Sequence, residues 1–355
     1  MSNVAKSKSD LSRAFSEDGA RKTHVGGQAL LEGVMMRGKY NWAVGVREPD
    51  GGVYEESHDL ASGQEKNGWM YWPCVRGCRA MVESLVLGYK ALEIAALHAF
   101  NEDEEDEAES ATSEPAAKSD GDAVFGKKEM AFSMVLGLLM GVVLFIVAPA
   151  FITNLLVGEY DVHTLAWNIV DGLLRVAVFV FYIWLIGRMS DIKRMFGYHG
   201  AEHKTIHCYE HGLPLTPENA RQFPRLHVRC GTAFLIMVMI IAILVYTVTP
   251  LNALISAWGV PDGAPKLALV IAARIALMPV IAGISYEITV RWAGSHPENP
   301  LVKVVLWPGM QMQYLTTNEP DDGMLECAIA AMQQVLECEE LEAAKAAAAA
   351  RGAQA

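Results

Sequence analysis

The chain has 355 residues, 52 % of them hydrophobic, a mean hydropathy of +0.20 and a formal net charge of -12. That hydropathy is high for a soluble protein, and the acidic excess argues against a general nucleic-acid-binding surface. Six cysteines (Cys74, Cys78, Cys208, Cys230, Cys327 and Cys338) are too sparse for a disulfide framework and are expected to be reduced.

Residues 1–23 are polar and charged, lack the apolar core of a signal peptide, and read as a disordered tail. From 24 to 100 a small subdomain is expected. Its first part has short apolar runs, Gln28–Arg37, Trp42–Arg47 and Val53–Ser57, with a strong hairpin signal at Pro49-Asp50-Gly51-Gly52. These predict a small antiparallel sheet. No glycine pattern for a nucleotide loop is present. Trp69 to Phe100 has helical spacing (Met81, Leu85, Tyr89, Leu92, Ala96) but also carries Arg76, Arg79, Glu83, Lys90 and Glu93. It reads as an amphipathic helix lying on the membrane or on the rest of the protein.

Residues 101–129 form an acidic, low-complexity linker expected to be disordered. The region 130–290 then predicts four membrane spans, Met130–Leu156, Leu165–Ile186, Thr232–Val248 and Leu267–Val290. The connection 188–231 contains seven cationic residues, Arg188, Lys193, Arg194, Lys204, Arg221, Arg225 and Arg229. The segment 157–164 contains none and 249–266 only Lys266. The bias places that connection and both termini on the cytosolic side of the membrane. Within the second span Asp171 and Arg175 lie one turn apart and can pair, or belong to a proton or ion path that Arg274 completes. The segment 291–355 is expected to be cytosolic. Leu301–Thr317 is apolar but reads as interrupted at Pro308-Gly309. A Glu- and Ala-rich helix follows, whose face Leu325, Ala328, Ile329, Met332, Val335 and Leu336 suits docking on a partner or on the protein itself.

The chemistry concentrates in the central connection. Of ten histidines, four fall at His199, His203, His207 and His211. On a helix each step of four residues turns about 400°, so these share one face. Glu202 stands on the same side. Two imidazoles one turn apart with a carboxylate beside them match a divalent-metal site with a general base, and His199-x-x-Glu202-His203 fits the pattern of inverted zinc peptidases. Candidates for a third ligand are His227, Cys230 and Glu287, the last in the final turn of the fourth span. Its structural alternative is a salt bridge to Arg274 or Arg291. His207 is expected to flank the site or support it indirectly.

Several stretches together resemble the YqhQ-like family of bacterial membrane proteins. They are Gly26-Gly27-Gln28-Ala-Leu-Leu-Glu32-Gly33-Val-Met35-Met36-Arg37-Gly38, Tyr198-His199-Gly-Ala-Glu202-His203-Lys204-Thr205-Ile-His207-Cys208-Tyr209-Glu210, Arg229-Cys230-Gly231-Thr232, Gly283-Ile-Ser285-Tyr286-Glu287, and Pro308-Gly309 with Leu315-Thr-Thr-Asn-Glu319-Pro320. The resemblance covers roughly His24 to Pro320, apart from the acidic insert. That family is of unknown function and is described as predicted metal-dependent enzymes. The resemblance also draws Gly26–Gly38 towards the site: Glu32 and Arg37 either contribute to it or belong to a sheet that docks on the connection.

These readings predict an α-helical integral membrane protein, with about four spanning helices and a small N-terminal antiparallel β-sheet subdomain on the cytosolic side. The leading functional expectation is a metal-dependent hydrolase at the cytosolic face. It would use a divalent metal, zinc by preference, with Glu202 activating water on a peptide or membrane-associated substrate. A transporter or channel component, which implies a homo-oligomer, and a membrane scaffold are the alternatives.

Overall fold

A computed structural model describes residues 10–16, 23–60, 68–99, 127–158, 164–249, 251–261, 263–296 and 299–352. The linker expected over 101–129 lies outside them as far as 126, and the chain is already helical from Lys127. The helices are α1 (Asp10–Ser16), α2 (Val75–Ala99), α3 (Lys127–Val142), α4 (Ala148–Val157), α5 (Thr164–Ile186), α6 (Ser190–Glu210), α7 (Pro217–Ala220), α8 (Gly231–Val248), α9 (Leu251–Ala257), α10 (Ala264–Tyr286), α11 (Pro300–Thr316) and α12 (Asp322–Gly352). Most of the described chain is helical.

The N-terminal sheet is antiparallel, as predicted. Strands β1 (Gly26–Leu30), β2 (Gly33–Arg37), β3 (Asn41–Arg47) and β4 (Val53–Asp59) pair in chain order. The run Gln28–Arg37, expected as one stretch, is two strands folded back at Leu31 and Glu32. Glu32 adopts a positive φ of 49°, uncommon for a residue with a side chain. Its carboxylate accepts hydrogen bonds from Arg194 (2.6 and 2.5 Å) and from the Tyr198 hydroxyl (3.1 Å), which ties the turn to α6.

Side chains alternate across a strand. Val34, Met36 and Ala43 therefore point one way, and Met35, Trp42, Val44 and Val46 the other. Both faces are covered. Leu325, Ala328, Met332 and Val335 of α12, with Tyr198, Ala201 and Ile206 of α6, close the first. Leu87, Ala91 and Ala95 of α2 close the second. The apolar face of α12 is thus satisfied within the chain, at about 1.5–3 kcal/mol per large side chain buried. Residues 10–16, read as part of a disordered tail, form α1, whose Ala14 is buried with Leu226 and Met310. Pro308 lies inside α11, which runs unbroken through the expected interruption.

Among the described residues three segments are long and apolar enough to cross a membrane, Val135–Val157, Leu165–Ile186 and Ala264–Ala293, and Phe234–Val248 is a shorter apolar stretch. The chain is a multi-pass membrane protein. The shorter stretch belongs to α8, whose 18 residues rise about 27 Å against a hydrocarbon core of about 30 Å. It packs against α5, α10 and α11. In the first span a π-helical turn, Val143–Val147, joins α3 to α4. Arg175 donates to the carbonyls of Phe145 (3.1 Å) and Ile146 (3.3 Å) in that turn. Arg175 also pairs with Asp171 at 2.9 Å, as its spacing predicted. Arg274 binds the same carboxylate, reaches Asn168, and lies between the rings of Trp167 and Tyr246, 4.7 Å from each centroid.

Candidate metal centre

Helix α6 is polar in sequence yet almost wholly buried from Gly197 to Cys208. It is wrapped on several sides. The sheet and α12 cover one flank, and the returning segment 221–230 covers the histidine stripe. Buried Lys204 anchors that return, donating to the carbonyls of Arg221 (3.2 Å) and Phe223 (2.7 Å) and pairing with Glu319 (2.9 Å). Gly200 makes the third contact possible, because a Cβ there would collide with the Asn318 carbonyl.

The stripe and the return segment build two groups, in each of which the ligand atoms lie within 4.8 Å of one another: His199, His203 and Cys230, and His207, Glu210 and His227. The first is well oriented for a cation. His199 Nδ1 donates to the Thr316 carbonyl (2.8 Å) and His203 Nδ1 to the Arg225 carbonyl (2.6 Å). A carbonyl only accepts, so in its neutral form each ring carries its lone pair on Nε2. His199 Nε2 lies 3.2 Å from Cys230 Sγ, and His203 Nε2 is buried with no hydrogen-bond partner. Such carbonyl-fixed tautomers are how metal-binding histidines are held.

Glu202 lies beside this group. Its Oε2 is buried without a partner, and the nearby Gly27 backbone favours the ionised carboxylate. A Cβ on Gly27 would stand 2.8 Å from Glu202 Cδ and 2.7 Å from the Met35 carbonyl, so only glycine fits between strand and carboxylate. A cavity of ≈ 130 Å³ opens at this point, lined among others by Gly27, Glu202, His203, His227, Arg229 and Cys230.

The electrostatics follow from that crowding. Burial raises the Glu202 pKa, and the nearby His199 and His203 only partly offset it. Burial opposes ionisation of Cys230, but His203 and His199 outweigh it and hold the thiol well below its ordinary value. Burial likewise opposes the charge on His199, yet Cys230 carries it up to about 9. His227 goes the other way: burial, with His207 and Arg229 beside it, holds it well below the usual histidine value.

The second group is tied differently. His207 Nε2 donates to the Leu226 carbonyl at 3.0 Å, and its ring meets His227 edge-on with centroids 4.6 Å apart. Glu210 Oε2 lies 3.5 Å from His227 Nε2, Thr23 donates to Oε1 at 3.1 Å, and Arg229 forms an ion pair with the same carboxylate. Buried Gln313 grips the His227 backbone at both ends, accepting from its N–H (2.8 Å) and donating to its carbonyl (2.9 Å).

Of the three candidates for a third ligand, Cys230 joins His199 and His203, while His227 joins the second group. Glu287 does neither. It pairs with Arg76 and accepts from the Cys74 N–H (3.1 Å), rather than meeting Arg274 or Arg291. Asp171 and Arg175 form their own cluster among the spans. Glu32 binds Arg194, and Arg37 pairs with Glu83 of α2 at 2.8 Å, so both fasten the sheet to its neighbours. His211 turns aside, its Nδ1 on the His207 carbonyl. Sequence reasoning left Glu210, Arg229 and Gln313 unassigned. Glu210 stands eight residues after Glu202 and three after His207, a helical spacing that would have put it on the stripe.

These features define a class: a multi-pass helical membrane protein with a sheet-capped cavity whose buried histidine, cysteine and glutamate groups can hold metal. The chain belongs to the family described as "Protein of unknown function (DUF1385)", whose model matches residues 72–338. It is similar to "Uncharacterized protein YqhQ" of Bacillus subtilis (strain 168), with 32 % identity over 316 residues, 89 % of this chain and 93 % of that protein. No solved structure matches.

Proposed function

We propose that the protein is a metal-dependent hydrolase whose site lies at the cytosolic face of the membrane. The observation that carries this reading is the convergence of a lone-pair Nε2 on His203 and a partnerless Glu202 Oε2 with Cys230 around one cavity. His199, His203 and Cys230 are the metal ligands in this reading. Three protein ligands with one position left open are the pattern of catalytic zinc sites. A divalent cation held there, zinc by the softness of this donor set, supplies the Lewis acidity that makes water a nucleophile near neutral pH. Glu202 takes the proton from that water. Its raised pKa suits a base that must return the proton to a leaving group. The Gly27 backbone packs directly against the Glu202 side chain, which keeps the base aimed into the cavity.

The positive-inside bias of the sequence supports a cytosolic position for this site, with the sheet and both termini on the same side in this reading. The substrate in this reading is a peptide or a membrane-associated ester. The test is direct. Purified wild type is expected to carry stoichiometric metal and to hydrolyse members of a peptide and ester panel. Glu202→Gln is expected to keep the metal and lose about 10²–10⁴-fold in turnover. Protein without stoichiometric metal, or a Glu202→Gln variant with full activity, would end the proposal.

A further inference from the structure

We propose a second metal site on the same stripe, formed by His207, Glu210 and His227, which makes the cavity the meeting point of a two-metal centre. This goes beyond the single-metal reading and uses none of its three ligands. The three donors lie within 4.8 Å of one another and are almost completely shielded from solvent (0 %, 0 % and 2 % exposed). Two imidazoles and one carboxylate are a competent donor set for a divalent cation.

The surroundings favour a cation as well as permitting one. A buried carboxylate is costly unless a positive charge meets it. Here that charge is Arg229, whose guanidinium reaches Glu210 and comes within 3.5 Å of His227 Nε2. The Arg229 side chain is 26 % exposed and lines the cavity, and in this proposal it yields Glu210 to the entering cation. The exchange replaces one positive group on Glu210 with another. We read Arg229 as the stand-in for the metal.

Two further features support the placement. The Leu226 carbonyl fixes the His207 ring, and Gln313 fixes the His227 backbone at both its N–H and its carbonyl. Such outer partners hold metal ligands in register. The two groups are also contiguous: the His203 and His227 rings have centroids 5.7 Å apart, and both line the cavity with Cys230. A substrate oxygen entering there would meet His203 and Cys230 of the first group and His227 of the second, one ligand or more from each side as in two-metal hydrolytic sites.

The experiment uses the full chain in detergent, stripped with chelator and reloaded with Co²⁺, with metal content and optical absorption as readouts. Wild type is expected to hold two Co²⁺ per chain and to show a thiolate-to-cobalt charge-transfer band from Cys230. Cys230→Ser should hold one Co²⁺ and lose the band. Glu210→Gln should hold one and keep it. Arg229→Gln should still hold two, with the half-saturating Co²⁺ concentration of the second several-fold lower, a gain that general damage to the fold cannot produce. A wild type with one Co²⁺, lost in Cys230→Ser and unaffected by Glu210→Gln, overturns the second site and leaves the hydrolase reading standing. One Co²⁺ lost in Glu210→Gln and retained in Cys230→Ser overturns the ligand set of that reading instead. Weaker second-site binding in Arg229→Gln overturns the stand-in role.

Discussion

Asp171 in the spans and Glu202 on α6 are both carboxylates buried among cationic or protonatable neighbours, and they are treated in opposite ways. Asp171 is ion-paired through one oxygen to both Arg175 and Arg274, and those guanidiniums also reach Asn168 and the carbonyls of the π-helical turn. Aromatic rings cover Arg274 on two sides. Each carboxylate keeps one buried oxygen without a partner, but that of Glu202 lies beside a histidine nitrogen in the same condition and a cavity. In the first cluster two guanidiniums neutralise the carboxylate, as charges in hydrocarbon require if they are to be structural. The second offers its ligand atoms to a cavity. Ligand atoms grouped at a cavity, more than burial or charge, separate a candidate site from a cross-brace.

Substitutions can break or sharpen this contrast. The largest effect is expected for Asp171→Ala, which strands two arginines and should cost about 3–5 kcal/mol of stability in detergent unfolding. Metal content per folded chain should not change. If ion flux in liposomes depended on Asp171, the cross-brace reading would fail and the ion-path alternative would gain. Next comes His203→Ala, expected to weaken metal binding by more than the roughly 10–100-fold that an outer partner carries, while thermal stability without metal holds. Gly27→Ala is smaller. Its Cβ would crowd Met35 and Glu202, costing about 1–3 kcal/mol, and turnover should fall with metal retained.

The smallest effect is expected at Glu32, which touches neither cluster. Hydrogen bonds from Arg194 hold its pKa below the ordinary carboxylate value, against the opposing effect of burial. A depressed folded pKa contributes stability that is present above the unfolded value and lost as pH falls through the folded one. The Arg194 side chain is 52 % exposed, so screening limits the pair to about 1 kcal/mol or less. Glu32→Gln should therefore be slightly less stable than wild type at neutral pH and equal to it in acid. A difference persisting at low pH would show that the turn, not the charge, is what matters.

Periodicity carried much of the fold. A small antiparallel sheet, the long spans and the single face of the histidine stripe all follow from local patterns of residue type and spacing. What spacing could not supply was pairing between elements. Cys230, His227 and Glu287 were equal candidates for one position because nothing local says where segment 221–230 returns. Lys204 and Glu319 decide that path from opposite sides. The fold-back at Glu32 was missed because its strained φ is held by Arg194, far along the chain. Nothing in the sequence singles out Gly27 within Gly26–Gly38, and only the packed structure shows the carboxylate it makes room for.

The Thr316 carbonyl that fixes His199 and the Gly27 backbone that packs against Glu202 come from stretches 289 positions apart (316 minus 27). Both must reach α6 before base and ligand are aimed at the same point. During biosynthesis the centre therefore cannot assemble until the ribosome has released residue 316. A nascent chain halted before it would carry the histidines without the group that orients the first of them.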